Sequence, residues 1–219
     1  MHSSTQYGRG QGDEYLNEYT DLQWWDDDLA DRFDGLIFDC DGTLSDSMPL
    51  HYVAWRDTMS QRGVEFTEER FYSMGGMPTE KIISLLCDEQ GVRVDIDATA
   101  TAKENAFETL MDELQPLEIV CEVAARHRGR LAMAVASGGI RPIVSRQLQQ
   151  LGIADWFTAV VTSEDTVGHK PEPDAFLRAA ELLDVSPARC LVFEDSPLGF
   201  EAAVRAGMEF VDVRTKIVR

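Results

Sequence analysis

The sequence lacks any uncharged apolar run of about 18 residues, the length a membrane-crossing helix needs, and it does not begin with a basic start followed by an apolar stretch. Neither a membrane span nor a signal peptide is therefore expected. Paired cysteine motifs are also missing. Cys40, Cys87, Cys121 and Cys190 are scattered, with no CxxC pair and no histidine-rich partner, which argues against a zinc site or disulfide framework and points to a reduced, cytoplasmic chain. Basic residues are scarce: 20 Lys and Arg stand against 39 Asp and Glu, for a net charge of -19. Such a surface repels phosphate backbones and anionic lipids, so neither nucleic acid nor membrane is expected as a partner. By the same logic, any site for an anionic ligand must carry its own positive charge, from a metal or a placed lysine.

What is present is globular: 44% of the residues are hydrophobic and 27% charged, well away from the disordered class. The 219 residues suffice for one core of ordinary size and a small accessory domain. Residues 1–32 are rich in Ser, Gly, Gln and acids, with Trp24 and Trp25 before three aspartates. They read as an acidic N-terminal extension whose indoles dock on the body of the protein or on a partner, the former being the plainer reading, because exposed indoles are costly to leave in water.

From Gly35 onward short apolar runs recur at 35–39, 131–136, 159–162, 190–194 and 210–213. Runs of this length suit strands buried on both faces. Amphipathic stretches at 142–151, 173–184 and 197–206 follow later runs, so the pattern predicts an α/β fold with a doubly wound parallel sheet. Between about 46 and 116 four helical patterns follow one another without a strand, at 48–62, 67–73, 79–90 and 97–114. The expected organisation is an α/β core of 33–46 and 117–219 with a helical cap, 47–116, inserted over the carboxyl edge of the sheet, where open α/β folds place ligands.

Four short motifs close successive predicted strands. In DCDGTL, Asp39 and Asp41 are two apart and face one side of an extended chain, and Gly42 permits a sharp turn whose amides can face a phosphate. Two such close carboxylates repel unless a cation lies between them. Ser137 and Gly138, ending the second run, offer a hydroxyl and amides to phosphate oxygens, and Lys170 in HKPEPD can supply the placed charge. Glu194 and Asp195 end a buried run, where acids are costly unless paired or metal-bound. Singly, each has a plainer reading as a turn, capping or solvated surface residue. In conjunction they place a nucleophilic carboxylate, a proton carrier, phosphate-binding groups and metal ligands on one sheet edge.

With these residues in this order, the chain resembles the haloacid dehalogenase superfamily over about 33–214, in the branch with a helical cap inserted after the first motif, which includes β-phosphoglucomutase and small sugar phosphatases. The stretches RFDGLIFDCDGTLSDS, HYVAWR, HKPEPDAF, LVFEDSPLGFEAAVRAGM and VDVR most resemble bacterial phosphatases acting on fructose 1-phosphate and related sugar phosphates. The resemblance implies a HAD-like Rossmannoid core and a Mg²⁺-dependent phosphatase for a small phosphorylated metabolite. Asp39 would form an aspartyl-phosphate and Asp41 would carry the proton. Mg²⁺ would be held by Asp39, the backbone carbonyl of Asp41, Asp195 and Glu194, and the phosphate by Thr43, Ser137, Gly138 and Lys170.

His51 matches a histidine found in both the mutase and the phosphatases, and also reads as a residue packed at the cap hinge. A cap loop of Gly75, Gly76 and Met77, with Thr79 or Glu80, would contact the leaving group. A phosphomutase with a bisphosphate activator is the rival reading. Against it, Gly75 stands where the mutase carries a lysine, although Lys81 could reach inward. A non-catalytic binding module is the third reading, disfavoured by the intact acids. The protein is expected to act as a monomer.

Overall fold

The computed structural model describes residues 28–215, so Trp24 and Trp25 lie outside the described residues. Five parallel strands, β1 Gly35–Phe38, β2 Ala132–Ala136, β3 Ala159–Val161, β4 Cys190–Glu194 and β5 Glu209–Asp212, pair in the order β3-β2-β1-β4-β5. They fall on the five apolar runs of the sequence. The ladder runs one residue past β1 and β2: the Asp39 N–H donates to the Phe193 carbonyl at 2.9 Å, and that of Ser137 to the Val161 carbonyl at 3.0 Å.

The first four helices after β1 follow one another with no strand between them: α1 Met48–Ser60, α2 Glu68–Ser73, α3 Thr79–Gln90 and α4 Ile96–Glu108. Local signals set their ends. The Thr67 hydroxyl caps α2 at the Arg70 N–H, the Asp95 carboxylate caps α4 at the Ala98 N–H, and Gly91 closes α3 with φ +67°. The helical pattern expected to run to 114 stops at Glu108, because Met111 turns inward through a short 3-10 segment to join Ala54, Phe107 and Ile143. A separate cluster built on Trp55, Met59, Phe66, Phe71, Ile83 and Leu86 holds the four helices together.

The remaining helices, α5 Glu118–His127, α6 Arg141–Gln150, α7 Asp174–Leu183 and α8 Pro197–Arg205, cover the sheet. Side chains alternate across it. Leu36 and Phe38 meet Val120 and Val123 of α5 and Val144 and Leu148 of α6 on one face. Ile37 meets Phe176 of α7 and Phe200 of α8 on the other. Helix α5 has no counterpart in the sequence reading; no side chain caps its start, as is also true of α3, α6 and α7. The fold class matches the expectation.

Leu29, placed by the sequence reading in the extension, is buried in the first of these faces. Its N–H donates to His127 Nε2 at 3.2 Å, which leaves His127 Nδ1–H to donate to the Val123 carbonyl at 2.9 Å. None of the described helices is long and apolar enough to cross a membrane.

Candidate active site

Strand β1 has β2 on one side and β4 on the other, so the chain order reverses there and the carboxyl ends of β1 and β4 open a crevice. Asp39 stands at the end of β1. Its Oδ1 accepts from Lys170 Nζ at 2.7 Å, and the same ammonium donates to Glu194 Oε2 at the end of β4, also at 2.7 Å. All three side chains are buried. Cys40 turns to the opposite face and is packed in the core there, as the two-residue alternation requires.

Gly42 has φ +79°, and a Cβ on it would overlap the Asp195 carboxylate. Glycine is therefore demanded by the approach of Asp195 as well as by the backbone. The Gly42 N–H donates to the Ser45 carbonyl at 2.9 Å, so it is spent inside the loop rather than offered to a phosphate. Gly199, in the first turn of α8, makes the matching approach: a Cβ there would overlap the Glu194 side chain. Glu194 Oε1 in turn accepts from the Ser196 hydroxyl at 2.8 Å and the Ser196 N–H at 3.0 Å.

Burial and the neighbouring Glu194 push the Asp39 carboxyl up to about 7, although Lys170 opposes them. Burial, Glu194 and Asp39 likewise raise Asp195 well above the usual carboxylate range. Burial pulls the Lys170 ammonium down, but Asp39 and Glu194 outweigh it and hold Lys170 above its ordinary value. Asp41 goes the other way. Burial raises it, yet His51, Ser47 and Gln147 overcome that and leave it well below the usual range. Its Oδ1 accepts from Ser47 Oγ at 2.7 Å, Gln147 Nε2 at 2.9 Å and His51 Nε2 at 2.9 Å.

His51 is lowered by burial and by Lys103, which favours the neutral ring. Its Nε2–H then donates to Asp41 while Nδ1 accepts from Lys103 Nζ at 3.1 Å. The ring stacks on Phe107 with centroids 3.7 Å apart. Lys103 also donates to Glu104 at 3.0 Å and lies over the Trp55 ring.

Asp39, Glu194 and Asp195 offer carboxylate oxygens within 4.8 Å of one another. Three acids so close, two of them pushed up by crowding, suit a hard divalent cation with oxygen ligands. Asp195 fits that role more directly than Glu194. Among the described residues no side chain donates to the Asp195 carboxylate, whereas both Glu194 oxygens are taken by Lys170 and the Ser196 groups.

These residues line a cleft of about 740 Å³ between the strand ends and the inserted helices. Asp39, Asp41, His51, Gly76, Ser137, Gly138, Lys170, Glu194 and Asp195 all reach it. Thr43 does not: it is fully buried, and its hydroxyl is unpartnered. Lys81 is exposed and stays out of the lining, while Gly75, Met77, Thr79 and Glu80 belong to it. Gln147, Ser47 and Lys103 are functional contacts that the sequence reading missed. A trace of two of them was there. Gln147 breaks the apolar stripe of Ile143, Val144 and Leu148, and Lys103 falls four residues from both Thr99 and Phe107 on the buried face of α4.

A family profile for haloacid dehalogenase-like hydrolases matches residues 36–213. The chain belongs to that family. Its sequence is 38% identical over 187 residues to the fructose-1-phosphate phosphatase YqaB of Escherichia coli, covering 85% of this chain and 99% of that protein. It is 28% identical to a phosphorylated carbohydrates phosphatase of Thermotoga maritima, covering 80% and 82% of the two chains. Among solved structures, β-phosphoglucomutase from Clostridium difficile superposes with a TM-score of 0.73 at 23% identity, over 81% of this chain and 83% of that one, a likeness of fold. The chain is an enzyme of the phosphatase type within this hydrolase family.

Proposed function

We propose that this haloacid dehalogenase-like hydrolase is a magnesium-dependent phosphatase for a small sugar phosphate, with residues 47–116 acting as a cap over its leaving group. The observation that carries the reading is the pair of carboxylates at the end of β1 in opposite states of restraint. Asp39 has one oxygen held by Lys170, and Asp41 has one oxygen held by three donors beside it. The relatives named above, phosphatases of phosphorylated carbohydrates, support the substrate class.

In this mechanism Asp39 attacks phosphorus in line and becomes an aspartyl-phosphate, splitting one displacement into two. Lys170 and Ser137 orient and neutralise the equatorial oxygens, since positioning and charge stabilisation supply most of the catalysis in phosphoryl transfer. Asp39, Asp195 and the backbone carbonyl of Asp41 would hold Mg²⁺, with Glu194 directly or through water. The ion supplies charge neutralisation to the transferring group. Asp41, held ionised by its partners in the absence of substrate, must first take up a proton; it then protonates the departing alkoxide and later takes a proton from the water that hydrolyses the intermediate. Thr43 is closed off from the cleft; its N–H donates to the Cys40 carbonyl at 3.3 Å within the turn.

The phosphomutase reading needs a second phosphate on the cap side, because its activator is a bisphosphate. That side offers Glu80, Glu104, Glu108 and Asp97 against one ammonium, Lys103, which already bonds Glu104 and His51. Its charge favours the phosphatase. The experiment that decides is phosphate release from a panel of sugar phosphates with and without Mg²⁺, with Asp39→Asn as the blank. Metal-dependent release lost in the variant supports the reading. Interconversion of glucose phosphates on adding a bisphosphate, without release, transfers the case to the mutase.

A further inference from the structure

Gln147 lies on α6, on the sheet side of the cleft, and is completely buried. Its orientation is decided by its partners. A carboxylate cannot donate, so Nε2 must face Asp41 Oδ1, at 2.9 Å, and Oε1 must accept from the Ser45 hydroxyl, at 2.7 Å. The Cys40 thiol approaches the same Oε1 at 3.8 Å. Both ends of the amide are therefore engaged by the loop that carries Asp39 and Asp41.

The other two donors to Asp41, Ser47 and His51, lie at the start of the inserted helices. Gln147 alone of the three approaches from the sheet-covering helices. All three converge on Oδ1. Among the described residues none donates to Oδ2, which faces the backbone at Gly139 on the rim of the cleft.

We infer that Gln147 is a positioning residue for proton transfer: by holding Asp41 Oδ1 from the core, it leaves Oδ2 as the oxygen that meets the leaving group. The inference rests on the phosphatase reading above and deepens it. Once Oδ2 has taken up a proton, that proton moves to the sugar oxygen as its bond to phosphorus breaks and the bond from Asp39 to phosphorus forms, and Asp41 is left as the carboxylate. Gln147 exchanges no proton. Rotation about the Cβ–Cγ bond would carry Oδ1 away from Ser47 and His51, and Gln147 adds a third restraint on that rotation from the core side.

The test exploits the leaving group. A sugar alkoxide must be protonated as it departs, whereas p-nitrophenolate is stable as an anion and needs no proton. The value of kcat/KM reports the steps up to phosphoryl transfer to Asp39. In Gln147→Leu, kcat/KM for the best sugar monophosphate should fall by about 10- to 100-fold, the usual cost of losing an orienting partner. With p-nitrophenyl phosphate it should change by less than about threefold, because transfer to Asp39 is intact.

Equal losses on the two substrates, or no loss on the sugar phosphate, overturn the inference. Thermal melting checks the fold, and if the leucine variant does not fold, Ser45→Ala decides instead. It frees the far end of the amide and should show the same selective loss in smaller measure; an unselective loss, or none, counts against the inference. If the unaltered enzyme releases phosphate from neither substrate, the phosphatase reading itself fails, and the inference falls with it.

Discussion

The two walls of the cleft are built on different plans. On the sheet side the charged groups are tied together, with Asp195 the exception: Lys170 joins Asp39 to Glu194, and the Ser196 hydroxyl takes the other Glu194 oxygen. Glycines at 42 and 199 let the two acidic loops approach side chain to backbone. On the side of the inserted helices the wall is backbone at Gly75 and Gly76, the side chains of Met77 and Thr79, and several carboxylates facing one lysine. The first plan suits a group whose charge is always the same. The second suits variety, since a loop of backbone and small polar groups can be altered without disturbing the core. In the proposed function, that difference places the reaction chemistry in the sheet and leaves discrimination among substrates to the insertion.

The comparison can be broken in the sheet wall first. Asp39→Asn should lower phosphate release by at least about 10⁴-fold while the protein still melts cooperatively, a loss expected of a nucleophile. A labelled acyl-phosphate that survives acid quench in this variant would remove Asp39 from that role. Asp41→Asn should cost about 10²- to 10⁴-fold, and turnover equal to the unaltered enzyme would refute the proton-carrier assignment.

The insertion wall is sharpened by charge. A sugar bisphosphate should show kcat/KM lower than the corresponding monophosphate by on the order of a hundredfold, because its second phosphate meets the acids of α3 and α4. Glu80→Lys should narrow that gap, and steady-state assays on both compounds measure it.

A smaller effect concerns the metal-free site. The folded protein keeps its Asp39 proton up to about pH 7, whereas the usual value is 3.8. The native state therefore binds the extra proton between those values, and stability must fall as pH rises through that window. With a chelator present, the melting temperature should drop by several degrees from pH 5 to pH 8, and added Mg²⁺ should restore more of it at pH 8 than at pH 5. The reverse dependence in differential scanning fluorimetry would contradict the placement of these acids. Smallest of all, Gly76→Ala should raise KM a few-fold with little change in kcat. Gly76 has φ +81°, and a Cβ there would press on Ser196 and Leu198, where the insertion meets α8.

Much of the sheet wall was readable in advance because it is local. A buried strand shows as an apolar run, and the residues closing it must lie at its carboxyl end, so DCDGTL, Ser137, Lys170 and FED could be aligned on one edge before any coordinates. Boundaries fared less well where packing overrode propensity. The last inserted helix ends at Glu108 because Met111 gains a place beside Phe107 and Ile143, and Leu29 belongs to the core because the bond to His127 and the apolar face await it. Helix α5 escaped notice, although α6 and α7, equally without a capping side chain, did not.

By itself, then, the sequence determined the doubly wound sheet, the helical insertion and the identity of the acids and lysine that gather at the edge, since periodicity and strand order are properties of the chain alone. Only the tertiary structure decided which oxygen of Asp41 is held and which is left open. That choice depends on Gln147, 106 residues from Asp41, and on Lys103, 52 residues from His51. A polar residue on an apolar helix face announces that it needs a partner, but folding brings the partner from too far along the chain for any local pattern to name it.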